Sequence, residues 1–136
     1  QRDPENISAL YNLGNIYGSK GNWLEAESLF SKAASTKNDF AMARSSRALA
    51  SYQLGDLTLA ELELRKLIRK YPLFADARAA LTALLWHEKA IGEAESNWVA
   101  ASGLDIRYRD QDWLIDVRRW PPIPTKDLMA FLSLEG

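Results

Sequence analysis

The sequence has no cysteine and a single histidine, His87. The first absence excludes a disulfide framework, a thiolate metal site and a cysteine nucleophile together. The second excludes a multi-histidine metal centre. An excess of charge of one sign is missing too. Seventeen Lys and Arg stand against 18 Asp and Glu, a formal net charge of −1, whereas nucleic-acid-binding domains carry a marked basic excess. No apolar run approaches the ~20 residues that span a bilayer. There is no Gly-rich phosphate loop and no workable Ser/His/Asp set, so neither an enzyme nor a cofactor is expected. The composition is that of ordinary globular material, 47% hydrophobic and 26% charged over 136 residues, long enough for one real core. The first residue is Gln1 rather than Met, so the chain is expected to be a processed or excised segment.

Internal repetition decides the architecture. Residues 7–40, 41–74 and 75–106 share one frame without a gap. Gly21 and Gly55 are 34 apart, as are Ala26, Ala60 and Ala94, and Phe30, Leu64 and Trp98, and Ala33, Leu67 and Ala101. Small residues at Gly14, Ala48, Ala26, Ala60 and Ala94 let helix axes approach closely, and the large apolar residues fill the space between repeats. Asn22 and Asp56 follow turn glycines and precede apolar-periodic runs, which are N-cap positions. The expected helices are 7–19, 23–35, 41–53, 57–70, 75–87 and 91–101. A single pair cannot bury its apolar face alone, so stacking must supply the core.

These residues resemble the tetratricopeptide repeat (TPR) family, whose period is 34. Leu10, Leu13, Gly14, Tyr17, Gly21, Ala26, Phe30 and Ala33 stand where the family expects them. The second repeat keeps Ala48, Gly55, Ala60 and Pro72 and carries Arg47 where Leu is common. The third keeps Leu81 and Ala94 but has Lys89 for the turn Gly and Ile106 for Pro. The resemblance implies an all-α fold, a right-handed α-solenoid of three helix pairs over residues 1–106. Residues 107–136 then form C-terminal capping helices with a Pro-rich joint at 121–124.

In the tail, Trp113, Leu114, Val117 and Trp120 fall on one face of a short helix. Asp110 can cap its start, the prolines from Pro121 end it, and Thr125 can cap a last helix whose apolar stripe is Leu128, Met129, Phe131 and Leu132. The tail either covers the open end of the solenoid or docks a partner. Gly103-Leu104-Asp105, Arg107-Tyr108, Asp112-Trp113 and Arg118-Arg119-Trp120-Pro121-Pro122 are similar to the tails of TPR proteins of cyanobacteria and chloroplasts that serve thylakoid biogenesis and photosystem assembly. That similarity implies a thylakoid-associated setting and a client that is a subunit of a thylakoid membrane complex.

The resemblance to the TPR family implies a protein-interaction module that holds a peptide or helix in the concave groove lined by the first helix of each repeat. Here the expected groove residues are Tyr11, Asn12, Asn15, Met42, Leu49, Tyr52, Gln53, Asp76, Trp86 and His87. Tyr11, Tyr52 and Trp86 are expected to anchor a client by apolar burial, with Asn15 fixing the register of its backbone. Tyr52 and Trp86 could equally pack against the next repeat or the tail. The two-carboxylate clamp by which TPR co-chaperones hold the acidic C-terminus of heat-shock chaperones uses Lys, Asn, Asn, Lys and Arg. Those places hold Tyr11, Asn15, Ser46, Asp76 and Ala80 here. Only Asn15 matches, so such a terminus is not expected as the partner.

A second class of function rests on Arg65, Lys66, Arg69 and Lys70, a basic patch that could meet RNA or an anionic membrane surface. The simpler reading is a solvated outer face balanced by Glu61 and Glu63. His87, with Glu88 and Glu93 nearby, lacks the second histidine of a helical metal site, because Ile91 occupies that place. Asp105, Asp110, Asp112 and Asp116 lack the glycine of a calcium loop and are expected to pair with Arg107, Arg109, Arg118 and Arg119.

Overall fold

The computed structural model describes residues 4–36 and 40–135. Residues 1–3, 37–39 and 136, which fall within the expected repeat and tail segments, lie outside the described residues. Helix α1 runs Pro4–Ser19, α2 Trp23–Thr36, α3 Ala41–Gln53, α4 Leu57–Lys70, α5 Ala75–His87 and α6 Ile91–Leu104. A 3-10 turn at Ile106–Arg109 leads to α7 at Gln111–Asp116 and α8 at Pro122–Glu135. There is no strand among the described residues. Each of the first six helices packs on its neighbours in sequence, which makes the chain an all-α solenoid of three helix pairs.

The local causes are those of the repeat. Asn22 accepts from the Glu25 amide at 3.2 Å, and Asp56 from the Leu59 amide at 3.2 Å, each satisfying one of the free donors at a helix start. The third pair has no side-chain cap at Ala90. Gly21 and Gly55 take the left-handed conformation at the first two inter-helix turns, φ +82° and +94°. Lys89 must take it at the third, φ 68°, against the Cβ crowding that disfavours it. At Gly14 an added Cβ would sit 2.6 Å from the Phe30 ring, so the first pair approaches as closely as it does because no side chain intervenes.

Burial is densest in α5. Ala77, Ala79, Ala80, Leu81, Ala83, Leu84 and Leu85 of α5 are all buried, because α5 is covered by α4, α6 and α8. The tail does not prolong the stack. Helix α8 lies on α5 and also on α3, the first helices of repeats three and two, so it runs across the inner face. Two expectations for the tail are corrected. Helix α7 ends at Asp116, leaving Val117 60% exposed while the chain turns Trp120 inward to 3% exposure. Helix α8 starts at Pro122, before Thr125. Proline suits a first helical turn, where an amide would be unsatisfied anyway, and the Thr125 hydroxyl donates back to the Pro121 carbonyl at 2.8 Å.

Candidate functional site: the inner face and its tail

The inner face of repeats two and three is occupied by the protein's own C-terminal segment. Asp76 is fully buried. Its Oδ1 accepts from the Tyr108 hydroxyl at 2.9 Å, from Arg118 Nε at 3.0 Å and Nη2 at 2.9 Å, and from Trp120 Nε1 at 3.0 Å. Its Oδ2 accepts from Ser45 Oγ at 2.5 Å. One carboxylate thus ties α5 to α3, to the 3-10 turn and to the strap between α7 and α8. Burial works against the Arg118 charge, but the adjacent Asp76 outweighs it and holds the guanidinium protonated. Burial, with the Asp76 charge second, pushes the Tyr108 phenol far above its ordinary value.

A second tie lies at the other end of α5. The Tyr52 hydroxyl donates to Asp127 Oδ2 at 2.6 Å, and His87 Nδ1 lies 2.9 Å from the same oxygen. Tyr52 is 1% exposed, and burial followed by the Asp127 hydrogen bond raises its phenol well beyond the usual range. Gln53 Oε1 accepts from the Ile123 amide at 2.7 Å. The Met42 sulfur meets Arg118 Nη2. Leu49 is buried, and Trp86 is half-buried against the same core.

The hollow expected to be free over the last two repeats is therefore filled. Met42, Leu49, Tyr52, Gln53, Asp76, Trp86 and His87 come together, but around the tail. Asp76, expected as a groove residue, is the tail's anchor, and His87, expected in the same groove, is exposed yet engaged with Asp127. At the first repeat, Asn12 is exposed and Asn15 half-buried. Tyr11 packs between Phe30 and Phe40, with ring centroids 5.6 and 5.2 Å away, and its hydroxyl lies 3.4 Å from Ser46 Oγ.

Where the tail strap passes the end of α1 a cleft of about 490 Å³ remains, lined by Gly18, Ser19, Trp23, Ile115, Asp116, Arg119, Trp120 and Pro122. A Cβ at Gly18 would meet the Trp23 ring at 2.7 Å, so this glycine lets the indole lie flat on α1 as one wall. Arg119, in the left-handed region at φ 60°, aims its Nη1 at Ser19 Oγ, 2.6 Å away. Ile115 is 41% exposed. None of Trp23, Ile115, Arg118, Arg119 and Asp127 was singled out for the groove from sequence. A solitary carboxylate on an otherwise neutral inner face was the available signal, since a buried charge requires a partner.

The basic patch is partly neutralised. Arg65 pairs with Glu61 at 2.9 Å and Glu93 at 2.8 Å, while Lys66, Arg69 and Lys70 are exposed and Lys70 Nζ lies over the Tyr71 ring, 5.5 Å from its centroid. Glu63, expected to balance this patch, instead accepts from Arg47 and lies 4.0 Å from Arg44. Of the expected tail pairs, Asp105 and Arg107 meet at 2.7 Å, Asp110 caps α7, and Arg118 and Arg119 turn elsewhere. Among the described residues, no group of three or more acidic or histidine side chains is placed to hold a metal, and no helix is long and apolar enough to cross a membrane.

The fold is that of known repeat domains. A solved structure similar over 98% of this chain and 97% of its own, at a TM-score of 0.71 and 17% sequence identity, is the first TPR domain of Spaghetti (RPAP3), bound to the HSP90 peptide SRMEEVD. No protein-family model matches the sequence, and no curated protein does.

Proposed function

We propose that this chain is a non-catalytic protein-interaction module whose client segment docks at the first-repeat end of the inner face. The observation that carries the reading is the cleft beside Trp23, walled by the end of α1, the helix that also carries the exposed Asn12 and half-buried Asn15. Over repeats two and three the inner face is committed to the tail. Trp23, Ile115 and Pro122 offer apolar walls, and Arg119, Asp116 and Ser19 polar edges, the mixture that anchors a short peptide or helix. The similarity of the tail to cyanobacterial and chloroplast repeat proteins supports a client from a thylakoid complex.

We also take the client to be other than an acidic chaperone terminus. The clamp positions carry Tyr11, Ser46, Asp76 and Ala80, and Asp76 already has a guanidinium of its own chain. Titration with the peptide SRMEEVD should give no saturable binding, and a defined stoichiometric complex would overturn that part.

A photo-crosslinking side chain at position 115, compared with one at the outward Val99, tests the docking site. The reading requires that position 115 capture one polypeptide, that the captured segment as a synthetic peptide bind one to one, and that Ile115→Lys weaken it at least about tenfold without loss of helicity. Capture from position 99 instead, or an unchanged affinity in Ile115→Lys, sinks it.

A further inference from the structure

Two positions of the repeat tell a consistent story until the third copy. They hold Leu10 and Leu29 in the first repeat, Arg44 and Glu63 in the second, and Arg78 and Asn97 in the third. In the second repeat the carboxylate answers its cations, accepting from Arg47 and lying 4.0 Å from Arg44. In the third, an amide replaces it. Arg78 Nε donates to the Pro72 carbonyl at 3.2 Å and Nη1 to Asn97 Oδ1 at 3.4 Å, both neutral acceptors. Asn97 is itself buried, its Nδ2 donating to the Glu93 carbonyl at 3.1 Å.

Arg78 does not stand alone. It shares a pocket of about 320 Å³ between α4, α5 and α6 with Arg65 and Arg69, and Ile68, Leu81, Glu93 and Asn97 complete the lining. Three guanidiniums there face one carboxylate. Glu93 is already engaged by Arg65, which also takes Glu61. Among the described residues neither Arg69 nor Arg78 has an acidic partner within 4 Å. Guanidinium forks match oxyanions in geometry as well as charge.

We infer that this pocket binds a phosphoryl group held by Arg69 and Arg78, the latter the counterpart of the Arg44 that Glu63 faces one repeat earlier. Two guanidiniums without a carboxylate partner can each fork oxygens of a phosphate monoester, which offers three terminal oxygens where a carboxylate offers two. Free phosphate and a phosphorylated side chain of a partner carry the same chemistry. A long polyanion fits less well, because Arg65, one of the four expected basic residues, is doubly paired.

The test is NMR titration of the full chain at constant ionic strength, reading the arginine Nε–Hε signals. The probes are inorganic phosphate and a pentapeptide of phosphoserine flanked by glycines. The Arg69 and Arg78 signals should shift saturably while that of Arg44 stays in place. Arg69→Gln, at an exposed position, should weaken binding at least about tenfold. Asn97→Glu, which restores the carboxylate of the second repeat, should abolish binding with the thermal midpoint held or raised. Tighter binding of the peptide identifies a protein side chain as the source, and equal affinity a free anion; both support the site. A linear, unsaturable response, an equal shift at Arg44, undiminished binding by Asn97→Glu, or an oligouridylate bound where phosphate is not, overturns it.

Discussion

Removing the Asp76 carboxylate should loosen the tail and destabilise the whole domain. In Asp76→Ala, Arg118, 11% exposed along its side chain, keeps its charge without a partner. Ser45, Tyr108 and Trp120 lose an acceptor in a buried setting. Breaking a buried ion pair from one side costs about 3–5 kcal/mol, and each orphaned buried donor adds roughly 1–3 kcal/mol unless it re-pairs. Re-pairing and water entry limit the sum, so a loss of about 4 kcal/mol is the working expectation. Equilibrium unfolding in urea, followed by helicity and by tryptophan emission, measures it. The double variant Asp76→Ala/Arg118→Met removes the stranded charge as well and should fall short of the sum of the single losses by about 0.5–3 kcal/mol, the range for groups in contact. Limited proteolysis should cut the single variant between α7 and α8 before the repeats. A loss under about 1 kcal/mol in Asp76→Ala, or additive single losses, would refute the assignment of this carboxylate as the tail's anchor.

Three further outcomes follow from the fold. Lys89→Gly removes a left-handed non-glycine residue at the third turn and should stabilise by about 1 kcal/mol, seen as a rise of a few degrees in the thermal midpoint. Gly14→Ala places a methyl against the buried Phe30 ring and should cost about 1–3 kcal/mol in urea unfolding. The raised phenols of Tyr52 and Tyr108 favour the folded state below the ordinary tyrosine value of about 10. Above it the unfolded chain ionises first, so stability falls by about 1.4 kcal/mol per pH unit for each. Absorbance titration should show two of the five tyrosines ionising only as helicity is lost, and a reversible, native-state titration of all five near pH 10 would contradict it.

The six repeat helices were legible because the signals that place them are local and repeated. A cap such as Asp56 or a turn glycine such as Gly55 acts within four residues, and the 34-residue frame repeats the message. Helix α6 runs three residues past its expected end, to Leu104, the same repeat position at which α4 ends at Lys70, so the repeat frame itself places that end whether Pro72 or Ile106 follows. The tail was legible only in part. Trp113, Leu114, Val117 and Trp120 share a helical phase, but phase cannot say that the backbone turns at Val117 and sends Trp120 to Asp76. The candidate site was least legible, since whether Tyr52 meets a client or Asp127 depends on a pairing between residues 75 positions apart. No spacing rule reaches that far. Asn12, Asn15 and the exposed lysines of α4 could be placed from the helix alone. Arg65 could not, because one of its partners comes from α6.

The strap also changes how the chain can come apart and come together. A plain stack of repeats depends on nearest neighbours only and can fray from either end one unit at a time. Here Arg119 reaches Ser19 across 100 positions of sequence, and Arg118 reaches Asp76 across 42, so later-made residues fasten earlier-made ones. During synthesis the earlier helices can form, yet the fastening must wait until the Arg-Arg-Trp segment has left the ribosome. Loss of the final thirty residues would leave a string of units that opens piecemeal in place of a single cooperative body.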